Sequence, residues 1–274
     1  MPSPLLNAWT EAVRAWSGVG APPSASSLGL LRPGGPAPQH PWGPEAAAAL
    51  VVPAALAPYL DHTLLRPDAT EEEVEALAAE ARTHGFGGAC VHAVHVAALV
   101  QALGDSAVEP VSVVGFPHGA HLAEIKLLEA RRAADEGAAV VDVVAPLGRL
   151  KAGEVDRVLG ELRALVSALA PVPVRVILET GLLPAKAVVL GAGIALAAGC
   201  DAVKTSTGFN GPGARPEDVT LLRAVVGDEL GVKASGGIRS AEQARALIAA
   251  GASRIGASSS LLLLELSLAG QVQG

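Results

Sequence analysis

The sequence predicts an α/β protein, a (β/α)8 TIM barrel with an N-terminal extension, and three observations support this fold class. Eight short β-rich runs alternate with helical runs from about Leu56 onward. The β-rich runs are continuous apolar stretches, as expected of parallel strands covered by helices. The spacing between neighbouring runs ranges from 22 residues, between Lys233 and Ile255, to 35 residues, between Asp142 and Ile177. Each interval has room for one helix, and eight such units close a barrel.

The N-terminal extension is predicted over residues 1–50, and the barrel over residues 51–274. Residues 5–16 have the apolar spacing of one amphipathic helix. Residues 17–44 are rich in Pro, Gly and Ser, which is typical of an arm outside a packed core. We therefore expect this arm to contribute little to the barrel core.

The barrel elements follow in order along the chain. The eight predicted strands lie in YLDHTLL, GGACVHA, PVSVVGF, AVVDVVAP, PVRVILET, AVKTSTG, GVKASGG and RIGASSS. The helical runs between them, such as TEEEVEALAAEARTHG and SAEQARALIAAG, end in glycine, a common helix stop. An open doubly wound sheet is the alternative, but no G-x-G-x-x-G follows the first strand.

Composition excludes several classes of protein. Half of the residues are hydrophobic and 17% are charged, which indicates a globular chain. The net charge of -7 and the lack of a basic run argue against nucleic-acid binding. Charge-free apolar stretches such as residues 187–200 are shorter than the roughly 20 residues of a membrane span, and no secretory signal begins the chain. We expect a cytoplasmic protein without membrane contact.

Cysteine and histidine give no metal pattern. Two cysteines, Cys90 and Cys200, form neither a disulfide framework nor a zinc motif, which fits a reducing compartment. Five histidines lack the i, i+4 pairing with a third ligand that marks zinc, and most are expected at the rim or surface: His62, His92, His95, His118 and His121.

Two lysines lie inside apolar strand runs. Lys204 in AVKTSTG and Lys233 in GVKASGG hold equivalent positions on the sixth and seventh strands, which are neighbours in a barrel. If the amines approach closely, like charge lowers both pKa values, and a free amine can then attack a carbonyl carbon. A single lysine of this kind could extend to the rim and pair with a carboxylate, but the matched pair favours imine chemistry.

Three carboxylates also lie in or just after strands, where barrel active sites form: Asp61, Asp142 and Glu179. Asp61 and Asp142 are either counter-ions of the lysines or groups that move protons, and the sequence leaves both roles open. Glycine-rich and serine-rich segments at residues 235–239 and 256–260 follow strands seven and eight, the usual phosphate site of such barrels. A phosphorylated substrate is therefore predicted.

With these residues in view, residues 56–264 resemble the deoxyribose-phosphate aldolases, a family of class I, Schiff-base aldolases. The similarity is carried by LDHTLLRPDAT, VVGFPHGA, ILETGLL, VKTSTGFNGPGA, GVKASGGIRS and GASRIGASSS, in the family's order and spacing. The resemblance implies reversible cleavage of 2-deoxy-D-ribose 5-phosphate to acetaldehyde and D-glyceraldehyde 3-phosphate, without metal or organic cofactor. A homodimer is also expected.

The resemblance assigns roles to individual residues. Lys204 matches the Schiff-base lysine, Lys233 the second lysine that perturbs it, and Asp142 the aspartate that relays protons through water. Substrate-binding positions are expected in the barrel interior at Asp61, Thr63, Cys90 and Thr205. The phosphate cradle is expected from Gly208, Gly236, Gly237, Ser258 and Ser259, with Ser235 and Arg239 beside it, and Gly256 is a further expected substrate-binding position.

Two departures from the family pattern lie inside and after the barrel. Pro146 follows the fourth strand where many relatives have Asn, so substrate contacts there are expected to differ. The chain ends in AGQVQG, without the C-terminal tyrosine that aids proton transfer in some relatives. Two alternatives stay open: a phosphate-binding isomerase or epimerase barrel, and a phosphosugar-binding protein without turnover.

Overall fold

The structure, a computed structural model, describes residues 4–25, 29–34 and 40–269. Each of the eight predicted runs contains a strand, and the strands are β1 Leu60–Thr63, β2 Gly88–His92, β3 Glu109–Val114, β4 Val140–Val144, β5 Val174–Ile177, β6 Ala202–Lys204, β7 Gly231–Ser235 and β8 Arg254–Ala257. All neighbours pair in parallel, and β8 pairs with β1, so the sheet closes in the order of the chain. The predicted (β/α)8 barrel is confirmed.

Twelve α-helices accompany the strands in the described ranges. They are α1 Pro4–Ala15, α2 Pro44–Ala49, α3 Pro53–Leu56, α4 Glu71–His84, α5 Val96–Leu103, α6 Ala123–Asp135, α7 Leu147–Lys151, α8 Val155–Leu169, α9 Ala185–Ala198, α10 Pro216–Val226, α11 Ala241–Ala249 and α12 Ser260–Ala269. Of these, none has the length and apolar character required to cross a bilayer.

The first barrel helix shows how local sequence sets its ends. Thr70 accepts a hydrogen bond from the backbone N–H of Glu73, whose side chain accepts one from the Thr70 N–H, which is a capping box. Three glutamates in the first turn complement the helix dipole. Gly85 ends α4 with a φ of 66°, a left-handed conformation that glycine adopts without a Cβ clash.

Strand register places the two lysines side by side. Lys204 of β6 pairs with Lys233 of β7, and Asp142 of β4 pairs with Arg175 of β5. Paired residues of parallel strands point to the same side of the sheet, and all four of these side chains lie in the barrel interior. The interior is therefore ionic where most barrels of this kind are filled with branched apolar side chains.

The N-terminal segment packs on the barrel through α1, which is the helix predicted at residues 5–16, and through its arm. Ala25 and Leu30 of the arm are buried in the main core, so the expectation that the arm contributes little to the core is wrong. Leu6, Trp9 and Val13 of α1 are at most 2% exposed and belong to the main hydrophobic core. The indole of Trp9 lies against Gly193 of α9, where a Cβ would come within 2.1 Å of the ring nitrogen. Helix α9 is buried on all sides because α1 covers the face that would otherwise contact solvent.

The rest of the extension also has specific contacts with the barrel. The Arg32 side chain donates to the Cys200 carbonyl and pairs with Asp201, immediately before β6. The Arg223 guanidinium lies 4.4 Å from the ring centroid of Trp42, a cation–π contact. Arg32 and Trp42 therefore attach the described parts of this segment to the barrel.

Candidate active site

A cavity of about 630 Å³ opens at the C-terminal ends of the strands. Lys204 lies at its floor, and Thr63 lies on its β1 side. The loops after β6, β7 and β8 form its opposite wall, with Phe209 at the mouth. The wall includes the following predicted residues: Gly208, Ser235, Gly236, Gly237, Arg239, Gly256, Ser258 and Ser259.

Both lysine amines contact one carboxylate oxygen. The Oδ2 atom of Asp142 accepts hydrogen bonds from Lys204 Nζ at 2.8 Å and from Lys233 Nζ at 2.7 Å. All three residues are at most 3% exposed. The second oxygen of Asp142, Oδ1, accepts no hydrogen bond from the described residues. It is buried, and Arg175 Nη1 lies 3.8 Å from it.

A second carboxylate extends the network toward the N-terminal end of the barrel. Asp61 Oδ2 accepts hydrogen bonds from Lys233 Nζ and, at 2.9 Å, from Arg175 Nη1. Arg254 Nη1 lies 3.4 Å from Asp61 Oδ1, and both arginines also contact Glu109. The interior thus contains three carboxylates and four basic side chains in one connected cluster.

The sequence-based search for charged residues in strands missed Arg175 and Arg254. They lie in the runs PVRVILET and RIGASSS, so the signal that singled out the lysines also applied to them. Their guanidinium groups form a layer below the amines and contact Asp61 and Glu109, not the cavity above.

The pKa directions follow from these ion pairs. Burial alone would raise the pKa of Asp142 and of Asp61, but nearby cations outweigh it and hold both pKa values well below the ordinary range. Burial alone would lower the pKa of Lys233, but Asp142 and Asp61 outweigh it and raise that pKa. The prediction that like charge lowers the pKa of both lysines is therefore wrong for Lys233, because two carboxylates surround its amine.

The predicted phosphate wall depends on close backbone contact. Gly208, Gly236 and Gly237 all have left-handed φ angles, between 74° and 90°. A Cβ on Gly236 would lie 2.9 Å from the Gly208 Cα, so the loops after β6 and β7 touch at two glycines. Ser258 and Ser259 immediately precede α12, whose N-terminal dipole favours an anion.

Three residues predicted to contact substrate do not line this cavity: Asp61, Thr205 and Cys90. Asp61 lies below the cavity, where it pairs with Lys233 and Arg175. The Thr205 hydroxyl donates to the Ser235 carbonyl and accepts from the Ser235 N–H, so it joins β6 to β7. Cys90 is fully buried with Leu65, Val111, Val113 and Val140, and burial raises the pKa of its thiol to about 11. None of these three side chains has a geometric reason to bind substrate directly.

Histidine placement differs from expectation at one position. His62 is only 5% exposed, because its side chain leaves β1 on the outer side of the barrel and lies 2.7 Å from Glu80 of α4. His92 and His95 are partly buried, whereas His118 and His121 are exposed. The described ranges contain no cluster of three or more His, Cys, Asp or Glu side chains with metal-site geometry.

The fold and the site together define a barrel enzyme of the aldolase class, which are carbon–carbon lyases. The chain belongs to the DeoC/LacD family of aldolases, whose model matches residues 56–272.

Individual relatives agree with this family. A deoxyribose-phosphate aldolase from Streptococcus suis (strain 05ZYH33) is 46% identical over 206 residues, covering 75% of this chain and 94% of the relative. Another from Caldanaerobacter subterraneus subsp. tengcongensis is 46% identical over 213 residues, covering 77% and 92%.

Solved structures share the fold at similar coverage. A deoxyribose phosphate aldolase from Aeropyrum pernix, described as a tetramer, has a TM-score of 0.73 at 39% identity and covers 81% of this chain and 94% of its own. A candidate deoxyribose-phosphate aldolase from Coccidioides immitis has a TM-score of 0.78 at 33% identity and covers 95% and 96%. The alignment with the Coccidioides immitis structure covers 95% of this chain, more than the family model matches, so it includes most of the N-terminal extension.

Proposed function

We propose that this chain reversibly cleaves 2-deoxy-D-ribose 5-phosphate to acetaldehyde and D-glyceraldehyde 3-phosphate through a Schiff base on Lys204. The observation that carries the proposal is the single oxygen of Asp142 that contacts both lysine amines, with only Lys204 at the cavity floor. The identity of the substrate is proposed from the relatives named above, which are deoxyribose-phosphate aldolases.

Position in the site supports Lys204 as the nucleophile. Lys204 lines the cavity, whereas Lys233 does not and contacts both Asp142 and Asp61. Lys233 is the permanent cation of the pair, because carboxylates raise its pKa.

The proposed reaction uses the Lys204 amine as nucleophile and electron sink. The amine adds to C1 of the open-chain sugar, and loss of water gives an iminium ion. Removal of the C3 hydroxyl proton breaks the C2–C3 bond, its electrons pass to the iminium nitrogen, and D-glyceraldehyde 3-phosphate leaves. Protonation of the enamine at C2 and hydrolysis then release acetaldehyde and the amine. Asp142 is proposed to relay the protons, since its Oδ2 contacts the amines of both Lys204 and Lys233.

The substrate phosphate is proposed to bind between the loops after β6, β7 and β8. The touching glycines Gly208 and Gly236 allow the backbone to approach an anion closely. Ser258 and Ser259 add hydroxyl donors at the start of α12. No resident metal or organic cofactor takes part in the proposed reaction.

Borohydride trapping tests the proposal. Wild type incubated with acetaldehyde and borohydride should gain the mass of one reduced adduct, and peptide mapping should place it on Lys204. Lys204→Ala should gain none. Lys204→Arg should not restore trapping, because a guanidinium remains protonated and is not a nucleophile. A label on Lys233 would contradict the assignment of the nucleophile to Lys204. Absence of any trapped adduct and of aldol cleavage would contradict the proposal and favour an isomerase or epimerase.

A homodimer is also proposed, on the basis of an exposed apolar face at the start of α6. Leu122, Ile125 and Leu128 are 46–65% exposed on that face. Glu124 precedes and Arg131 follows its centre, so a second copy packed antiparallel would bring unlike charges together. Sedimentation velocity should show a dimer for wild type and a monomer for Leu128→Glu. A monomeric wild type would overturn this proposal.

A further inference from the structure

Glu179 is a buried carboxylate at the end of β5 that the proposed reaction does not use. It is 1% exposed, and it does not line the cavity. No cation forms an ion pair with it in residues 4–25, 29–34 and 40–269. A buried carboxylate without a cation needs hydrogen bonds to be stable, so its partners indicate its role.

The backbone of Glu179 adopts a conformation that disfavours a side chain. Its φ of 52° and ψ of 61° are left-handed, and within the described ranges no other non-glycine residue has a positive φ. The flanking N–H groups of Leu178 and Thr180 donate to the carbonyls of Lys204 and Thr205, at 2.9 Å each. Glycine would fit this turn without strain. Glutamate here costs free energy that its side-chain contacts must offset.

Those contacts all hold the loop after β6. The carboxylate accepts hydrogen bonds from the Thr207 N–H at 3.3 Å and from the Thr207 hydroxyl. It also accepts one at 3.3 Å from the Asn210 amide, which donates in addition to the Pro117 carbonyl at 2.8 Å. Glu179 therefore links the loops after β3, β5 and β6.

The loop held by Glu179 forms one side of the proposed phosphate site. Gly208 directly follows Thr207, and a Cβ on Gly236 would lie 2.9 Å from the Gly208 Cα. Thr207, Gly208 and Gly236 all line the cavity. A shift of Thr207 would thus change the spacing between the two glycine loops, whereas Lys204 is held separately by its strand and by Asp142.

We infer that Glu179 is a positioning residue for recognition of the substrate phosphate: its carboxylate fixes the Thr207–Gly208 turn against Gly236 and sets the width of the anion site. This inference rests on the proposed function for the identity of the substrate. It assigns to Glu179 the preference for phosphorylated over unphosphorylated sugar, and no part in the carbon–carbon cleavage.

Two substitutions separate the carboxylate from the backbone strain. Glu179→Gln keeps the shape and the strain but loses the charge, and Glu179→Gly relieves the strain but loses the side chain. Both should raise KM for 2-deoxyribose 5-phosphate by at least about tenfold, the effect of losing a charge-assisted hydrogen bond. Both should leave kcat, and kcat/KM for 2-deoxyribose, at the wild-type value. Glu179→Gly should melt no lower than Glu179→Gln.

A matched control is Glu161→Gln. Glu161 is also a buried carboxylate, but it pairs with Lys126 between α6 and α8, away from the loop after β6. This variant should lower thermal stability and leave the ratio of the two KM values unchanged. Thr207→Val removes one donor to Glu179 without altering the left-handed residue, and it should raise KM for the phosphorylated sugar even if the Glu179 variants fold poorly.

Calorimetric titration with inorganic phosphate makes the test independent of turnover. Wild type and Glu161→Gln should bind phosphate equally, and the Glu179 and Thr207 variants should bind it more weakly. Equal phosphate binding by all variants, or equal losses of kcat/KM with both sugars, would overturn the inference. Failure of wild type to trap acetaldehyde would instead overturn the proposed function, since phosphate binding does not require an imine.

Discussion

Replacing Trp9 with alanine should destabilise the protein strongly, although Trp9 lies outside the barrel and far from the cavity. The indole is 0% exposed and lies flat against α9 at Gly193. Removing a fully buried tryptophan side chain costs about 3–5 kcal/mol, which corresponds to a fall in Tm of about 10 °C for a chain of this size. Activity at 25 °C should survive, because α1 does not line the cavity.

The partner substitution, Gly193→Ala, gives the decisive measurement because its effect should change sign. In wild type the new methyl would lie 2.1 Å from the Trp9 ring nitrogen and 2.4 Å from the adjacent ring carbon. This clash should destabilise the protein by about 1–3 kcal/mol. With Trp9→Ala already present, the clash is absent, and alanine should stabilise the helix by about 1 kcal/mol over glycine.

Urea unfolding of the four proteins, namely wild type, both single variants and the double variant, measures this coupling. If Gly193→Ala changes the free energy of unfolding equally in both backgrounds, Trp9 does not pack on α9. The N-terminal segment would then be the loosely attached arm that its composition suggests.

Three further predictions concern the site. Lys233→Leu should reduce activity steeply at neutral pH, and alkaline buffer should partly restore it, because Lys233 then no longer offsets the charge of Asp142 beside Lys204; a pH–rate profile parallel to wild type would contradict this. Ser259→Asp should raise KM for the phosphorylated sugar at least about tenfold through like-charge repulsion, and equal losses with free deoxyribose would contradict the phosphate assignment. The pKa values of Asp61 and Asp142 are lower in the folded protein than the ordinary value of about 4. Their ionised carboxylates therefore stabilise the fold fully above that pH, and this stabilisation is lost as the pH falls toward the folded-state pKa values. Urea unfolding between pH 7 and pH 3 should therefore show a weaker acid dependence for Asp61→Asn than for wild type, and identical slopes would show that Asp61 is not held ionised.

The sequence predicts the barrel and the lysine pair for a physical reason. Parallel strands covered by helices are apolar runs, so an ionisable residue within such a run is unusual. Lys204 and Lys233 are conspicuous on that basis, and neighbouring strands bring them together. The direction of the pKa shift of Lys233 could not be predicted from the sequence, because it depends on carboxylates of β1 and β4 that are distant along the chain.

The sequence of α9 indicates that another element packs on it, although the Pro/Gly-rich composition of the N-terminal extension suggests a loose arm. Helix α9 has almost no polar face, since its sequence is AKAVVLGAGIALAA. A helix on the outside of a barrel should present one, unless another element covers it. The role of Glu179 could not be read at all, because a left-handed φ at glutamate has no sequence signature.

The connected ionic interior restricts how this protein can be re-engineered. Seven ionisable side chains contact one another there, and replacing several at once leaves charges unbalanced away from water. Libraries that randomise many of these positions together should therefore return mostly destabilised variants. Leu65 and Phe209 line the cavity above this ionic cluster and carry no charge, so they can be exchanged without disturbing the charge balance of the cluster. Altered substrate scope is best sought at the rim, with the ionic interior left intact.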